Sequence, residues 1–209
     1  MSVAQIIQPI TQPGALEELA NRLENQSILS VDTESNSLYV YHEQVCLIQF
    51  STHDEDALVD PLALADLSPL AGVFENPAIE KVFHAAEYDL ICLKRDFGFH
   101  FANLFDTMVA ARLLGHPELG LGSILESEFG VHANKRHQRA DWGKRPLDEA
   151  QLAYVTQDTH YLIPLRERFK NELEEKGLLP LAQEDFQRLC RTNVPQPDED
   201  MNAWWRVGG

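Results

Sequence analysis

The sequence predicts an α/β domain: a mixed β-sheet flanked by helices, with a helical C-terminal half. Three observations carry this. Short apolar runs of strand character fall in the first half of the 209 residues, helical spacing dominates the second half, and strands alternate with helices between about residues 57 and 107. Apolar residues make up 44% of the chain and charged residues 24%, enough of each for one buried core and a solvated surface.

Taken in order, residues 13 to 26 place Leu16, Leu19, Ala20 and Leu23 at helical spacing behind Pro13. SILSVD at 27 to 32 reads as a strand, followed after a polar stretch by a second strand, VCLIQFS, at 45 to 51. ALVDP at 57 to 61 is a third short strand ended by proline, and a helix is expected around 66 to 75. EKVFH at 80 to 84 is a buried strand, and the helix from about 86 to 97 stops at Gly98. FDTMVAARLLG starts another helix, with Asp106 or Thr107 as cap and Gly115 as terminator. LGSILESEFG forms one more, and a long helical region runs from about Leu147 to Lys176 with an interruption expected at Pro164. NVPQPDEDMNAWWRVGG is polar, proline-containing and acidic ahead of two tryptophans. The expected division is therefore a domain over 1–192 and a linker or tail over 193–209.

No apolar run approaches the roughly 18–20 residues needed to span a bilayer, and no basic start leads into an apolar stretch, so neither a membrane partner nor a signal peptide is expected. Cys46, Cys92 and Cys190 are far apart, odd in number and without a CxxC pair, which fits buried thiols in a reducing cytoplasm. The net charge of −16 argues against a nucleic-acid binder until its distribution is considered. Between His132 and Pro146, Lys135, Arg136, Arg139, Lys144 and Arg145 face a single acid, Asp141. That window is net +4 in a chain whose remainder is −20.

The acids that stand out sit at element boundaries. Asp32 and Glu34 close an apolar strand two residues apart, so they project to one side a few ångströms from each other. Two such carboxylates either hydrate at a strand end or share a hard divalent cation such as Mg²⁺ or Mn²⁺. Asp89 falls in the first turn of the helix after EKVFH, a place that also suits an acid for dipole reasons alone. His84 closes that strand and reads as a packed histidine outside any metal site. Tyr154 and Asp158 are four apart on a helix and share a face. A phenol above a carboxylate can aim a water there.

In combination, DxE on a strand, Asp89 some 55 residues on and Tyr-x-x-x-Asp further along make up the signature of the DEDD exonucleases. The sequence resembles the tyrosine subclass; Ala153, five residues before Asp158, rules out the His-x-x-x-x-Asp sister class. VDTESNSLYVYHEQVCLIQFS, VFHAAEYDL, FDTMVAARLLG and HQRADWGKRPLDEAQLAYVTQDTHYLIPL resemble the ribonuclease D family over about residues 27 to 170. The Ala140-Asp141-Trp142 and Arg145-Pro146-Leu147 pieces are particular to it; polymerase proofreading domains lack them and tend to carry Asn where this chain has Ala85.

The resemblance implies a ribonuclease H-like fold and a metal-dependent 3′–5′ exoribonuclease that releases nucleoside 5′-monophosphates from single-stranded RNA. RNA is favoured over DNA as the partner, with a DNA-directed or dual exonuclease and a non-catalytic binding module as the alternatives. It implies two divalent cations, Mg²⁺ or Mn²⁺, held by Asp32, Glu34, Asp89 and Asp158, with Tyr154 orienting the water. Lys135, Arg136, Arg139, Lys144 and Arg145 are candidate phosphate contacts. Asp141 is expected as a cap or as the partner of Arg145, and Trp142 as packing. The stretch DEDMNAWWRVGG resembles the entry to an HRDC domain in that family.

Overall fold

The strand that ends in Asp32 and Glu34 lies at the centre of the sheet. The computed structural model describes residues 7–132 and 140–194, without the side chains of 156–158. Among them are helix α1 (Pro13–Glu24), β1 (Ile28–Ser35), β2 (Val45–Ser51), β3 (Asp56–Val59), α2 (Ala71–Glu75) and β4 (Glu80–Phe83). These are followed by α3 (Glu87–Phe97), β5 (Leu104–Asp106), α4 (Thr107–Leu114), α5 (Leu121–Phe129), α6 (Glu149–His160), α7 (Leu162–Glu175) and α8 (Leu179–Cys190). The sheet order is β3-β2-β1-β4-β5; β2 runs antiparallel to β1 and β3, while β4 is parallel to β1 and β5.

Burial matches a sheet covered on both faces. β2 is buried at all seven positions, as a strand must be when helices cover both faces. Helix α1 turns Leu16, Leu19, Ala20 and Leu23 into the main core, the four positions its spacing predicted. A second apolar cluster of Cys46, Leu47, Leu58, Trp142, Leu152, Tyr154 and Val155 lies where α6 packs on β1, β2 and β3. Between these layers the carboxyl ends of β1 and β4 open toward the first turn of α3, the crevice where α/β sheets carry ligands.

Several elements depart from the sequence reading. The long helix breaks at Tyr161, one turn before Pro164. A proline lacks the N–H that would bond the carbonyl four residues back and its ring collides with that carbonyl, here that of His160, so the break falls upstream. Pro164 itself sits in the first turn of α7, where no N–H is needed. Strand β5 and helix α8 were not anticipated. β5 has only three residues, and α8 buries just Ala182 and Phe186. Phe186 packs on Phe105 of β5 with ring centroids 4.7 Å apart. The expected helix at 66–75 is a 3₁₀ turn at Ser68–Leu70 leading into α2.

Candidate active site

Register sets the floor of the site. Asp32 stands opposite Gln49 and Glu34 opposite Leu47 on β2, so all four side chains belong to the face that α6 covers. The pairing shifts by a bulge between Glu34 and Ser35, which ends the regular ladder just past the two acids. Both acids are half-buried.

Helix α6 is fastened at both ends. Asp148 and Gln151 form a capping box at its start. Near its end the Ser51 hydroxyl is 2.6 Å from the Thr159 hydroxyl, and the Ser30 hydroxyl is 2.9 Å from the Thr159 carbonyl oxygen, all three residues buried. This clasp seats α6 on β1 and β2 with Tyr154 and Asp158 between the fastenings. Tyr154 is buried and stacks on Trp142, ring centroids 6.2 Å apart and planes inclined by 28°. Asp158 lies on α6 by its backbone; its side chain is outside the described residues.

Asp89 arrives on α3 from the other side. The strand-to-helix turn before it has Ala85 in the left-handed region at φ 60°, and Asp106 holds that turn. The buried Asp106 carboxylate accepts from Ala85 N and Ala86 N ahead of α3, and from Met108 N and Val109 N at the start of α4. One side chain therefore caps α4 and braces the turn that leads into α3. The Thr33 hydroxyl donates to Asp89 Oδ1 at 2.5 Å. Burial, reinforced by the negative charge of Asp106, pushes the Asp89 carboxyl up to about 7 against the lowering effect of Thr33. His84 Nδ1 is 2.9 Å from the Thr107 hydroxyl, and burial lowers its pKa; it is a packed histidine, as expected.

The basic segment divides. Lys135, Arg136 and Arg139 fall outside the described residues. Lys144 is exposed, with Nζ 3.6 Å from Asp141. Arg145 is committed elsewhere. It forks onto Asp60 and donates to the carbonyl oxygens of Cys46, Trp142 and Lys144, all within 2.8 Å. The expected partner Asp141 is replaced by Asp60, 85 residues away; Asp141 Oδ1 instead accepts from Gly143 N at 3.2 Å. Trp142 packs as expected, being 2% exposed.

The donors suit a hard divalent cation in kind: carboxylate oxygens only, one of them pushed toward neutrality by burial, which an adjacent cation would reverse. Among the described residues no three carboxylate, histidine or cysteine donors are gathered tightly enough to hold an ion on their own. The fourth acid, Asp158, is the one whose side chain is not described. Thr33, Gln49 and Asp106 were not anticipated as parts of the site. The available signal for Gln49 was a single amide in the otherwise apolar and small run VCLIQFS.

A 3′–5′ exonuclease family profile matches residues 7–174, which include Asp32, Glu34, Asp89, Tyr154 and Asp158. The chain belongs to this 3′–5′ exonuclease family. Within the family it is 44% identical over 171 residues to protein RRP6-like 3 of Arabidopsis thaliana, covering 81% of this chain and 19% of that protein. It is 36% identical over 200 residues to ribonuclease D of Gluconacetobacter diazotrophicus, covering 95% of this chain and 51% of the relative. The crystal structure of Escherichia coli RNase D, described as an exoribonuclease involved in structured RNA processing, superposes with a TM-score of 0.85 at 32% identity. That match covers 95% of this chain and 55% of the other. The chain thus spans about a fifth of protein RRP6-like 3 and about half of the ribonuclease D proteins it matches. The ribonuclease H-like fold inferred from the sequence agrees with these exonuclease structures. No helix among the described residues is long and apolar enough to cross a membrane.

Proposed function

We propose that this chain hydrolyses single-stranded RNA from its 3′ end and releases nucleoside 5′-monophosphates, using two divalent cations, Mg²⁺ or Mn²⁺. One observation carries the reading. The Ser30–Ser51–Thr159 clasp brings the helix bearing Tyr154 and Asp158 over the strand bearing Asp32 and Glu34, with Asp89 approaching the same strand through Thr33. The likeness to ribonuclease D supports RNA as the substrate class.

In this reading Asp32, Glu34, Asp89 and Asp158 would hold the two cations. Bound there, the cations would supply a nucleophile at neutral pH and neutralise charge on the leaving 3′ oxygen. The chain's own residues do the rest. Tyr154, kept in place by the Trp142 indole, aims the attacking water with its phenol. Lys135, Arg136, Arg139 and Lys144 meet the phosphates of the incoming strand, while Arg145 serves the scaffold. We assign the nuclease unit to residues 1–192 and a linker, the entry to an HRDC domain, to 193–209. The three unpaired thiols suit a reducing compartment, for which we propose the cytoplasm.

The test is digestion of matched single-stranded RNA and DNA, labelled at the 5′ end, with Mg²⁺, with Mn²⁺ and with chelator. A ladder shortening from the 3′ end on RNA, unlabelled mononucleotide as product and no cleavage in chelator are expected. Internal cuts or cleavage in chelator would refute the reading; equal digestion of DNA would widen the substrate to both nucleic acids.

A further inference from the structure

Gln49 is fully buried, and among the described residues neither its Oε1 nor its Nε2 has a hydrogen-bond partner. A primary amide carries two donors and an acceptor, and burying all of them unpaired is costly. Its neighbours within the sheet offer little to meet them. On the β3 side its register partner is Leu58, and its neighbours along the same face of β2 are Leu47 and Ser51. Leu47 and Leu58 are apolar, and the Ser51 hydroxyl is taken by Thr159. On the β1 side the residue directly opposite is Asp32. Facing residues of an antiparallel pair have Cβ atoms about 4.5–5.5 Å apart, within reach of a glutamine amide.

We infer that Gln49 is a positioning residue of the metal centre, whose Nε2–H₂ holds the Asp32 carboxylate in its ligating orientation when a divalent cation is bound. The inference rests on the proposed function. A carboxylate engaging a cation with one oxygen turns the other toward its surroundings, and an amide donor there fixes that geometry. Partners of this kind tune metal affinity even though they do not touch the ion. An apolar side chain of similar length would pack against Leu47 and Leu58 with no unpaired groups. The amide therefore serves the site at the expense of the fold.

The test uses the whole chain, stripped with chelator and titrated with Mn²⁺ by calorimetry, with thermal unfolding followed in parallel. Gln49→Met removes the amide while keeping its length. It is expected to unfold without metal at the same temperature as the wild type or higher, and to bind Mn²⁺ about 10–100-fold more weakly. Mn²⁺ affinity within twofold of wild type would overturn the inference. So would a metal-free variant several degrees less stable with unchanged affinity, the result expected if Gln49 merely binds a buried water.

A second measurement does not depend on the variant folding. In wild-type protein labelled with ¹⁵N-glutamine, the Gln49 side-chain amide should shift and exchange more slowly as Mg²⁺ is added. An unmoved Gln49 amide beside a shifting Asp32 backbone resonance would refute the role. If the wild type binds neither cation, the proposed metal-dependent function falls as well, which separates the two failures.

Discussion

Arg145 closes on Asp60 through both carboxylate oxygens, Nε to Oδ2 at 2.6 Å and Nη2 to Oδ1 at 2.8 Å. Asp60 is 4% exposed, and the same guanidinium holds the carbonyls of Cys46, Trp142 and Lys144. The pair ties the stretch carrying Trp142 to the β2–β3 edge, beneath the ring that stacks on Tyr154. Arg145→Ala would leave a buried carboxylate unpaired and should cost about 3 kcal/mol in urea unfolding. Arg145→Lys should recover little of that, since an ammonium cannot fork onto both oxygens. A phosphate-binding role would show the opposite pattern: unchanged stability, and a weaker salt dependence of RNA binding.

The Trp142–Tyr154 stack predicts a division between aiming and packing. In the proposed mechanism the Tyr154 hydroxyl contributes by orienting the attacking water. Tyr154→Phe keeps the ring on Trp142 and should lower kcat by about 10–1000-fold, roughly 1.4–4 kcal/mol. Nucleic-acid binding in Ca²⁺ should barely change. Trp142→Phe should leave metal binding intact and lower kcat by about 10-fold through a loosened Tyr154. Steady-state rates beside a binding titration check both; a Tyr154→Phe rate within twofold of wild type would remove the phenol from the mechanism.

Asp106 gives a third prediction, because its four backbone N–H partners lie in the turn ahead of α3 and in the first turn of α4. Asp106→Ala should destabilise the chain by at least about 3 kcal/mol, given roughly 1–3 kcal/mol for each buried donor left unpaired. Hydrolysis should fall with it, since the turn leading to Asp89 loses its anchor. Urea unfolding of the variant decides the matter: a stability equal to wild type would mean that the left-handed turn at Ala85 stands without its carboxylate.

Local chemistry was legible in the sequence where a residue's partners lie within a few positions. Asp106 as a helix cap, Gly98 and Gly115 as left-handed stops, and the buried stripe of α1 all follow from spacing alone. Asp32 and Glu34 on one face follow from strand alternation, and the register bears this out. What could not be read was pairing across the chain. The sequence offered Arg145 the acid Asp141, four residues away, yet folding supplies Asp60, which holds both oxygens in line with the fork. The orphaned amide of Gln49 likewise exists only because β1 and β3 flank β2 in this register. β5 was missed because three residues are too few to leave a period, whereas α8 was missed although Leu179, Ala182, Phe186 and Leu189 stand at helical spacing.

Lys81 supplies a prediction outside the proposed metal-binding acids. It sits on β4, fully buried, with Nζ donating to the carbonyls of Asn76 and Ile79 at 2.7 Å each. Burial lowers its pKa to about 8, against the raising effects of the nearby Cys190 and Glu80, the latter also paired with Arg166. In the unfolded chain the ammonium titrates at its ordinary value near 10.5. Below pH 8 both states are protonated, and Lys81 contributes no slope. Between about 8 and 10.5 the unfolded chain keeps a proton that the native state has shed, so Lys81 favours the native state as pH rises. The thiols act the other way. Burial pushes Cys46 and Cys92 up to about 11, so above 9 the unfolded chain loses protons that the native state keeps, and total stability falls in alkali. Lys81→Met isolates the lysine and its effect on the neighbouring Cys190 thiol, because Cys46 and Cys92 titrate alike in both proteins. The melting temperature of wild type minus that of Lys81→Met should therefore increase from pH 7 to pH 10 while both melting temperatures decline. A difference that stays flat or shrinks across that range would show that the Lys81 ammonium keeps its proton in the native state.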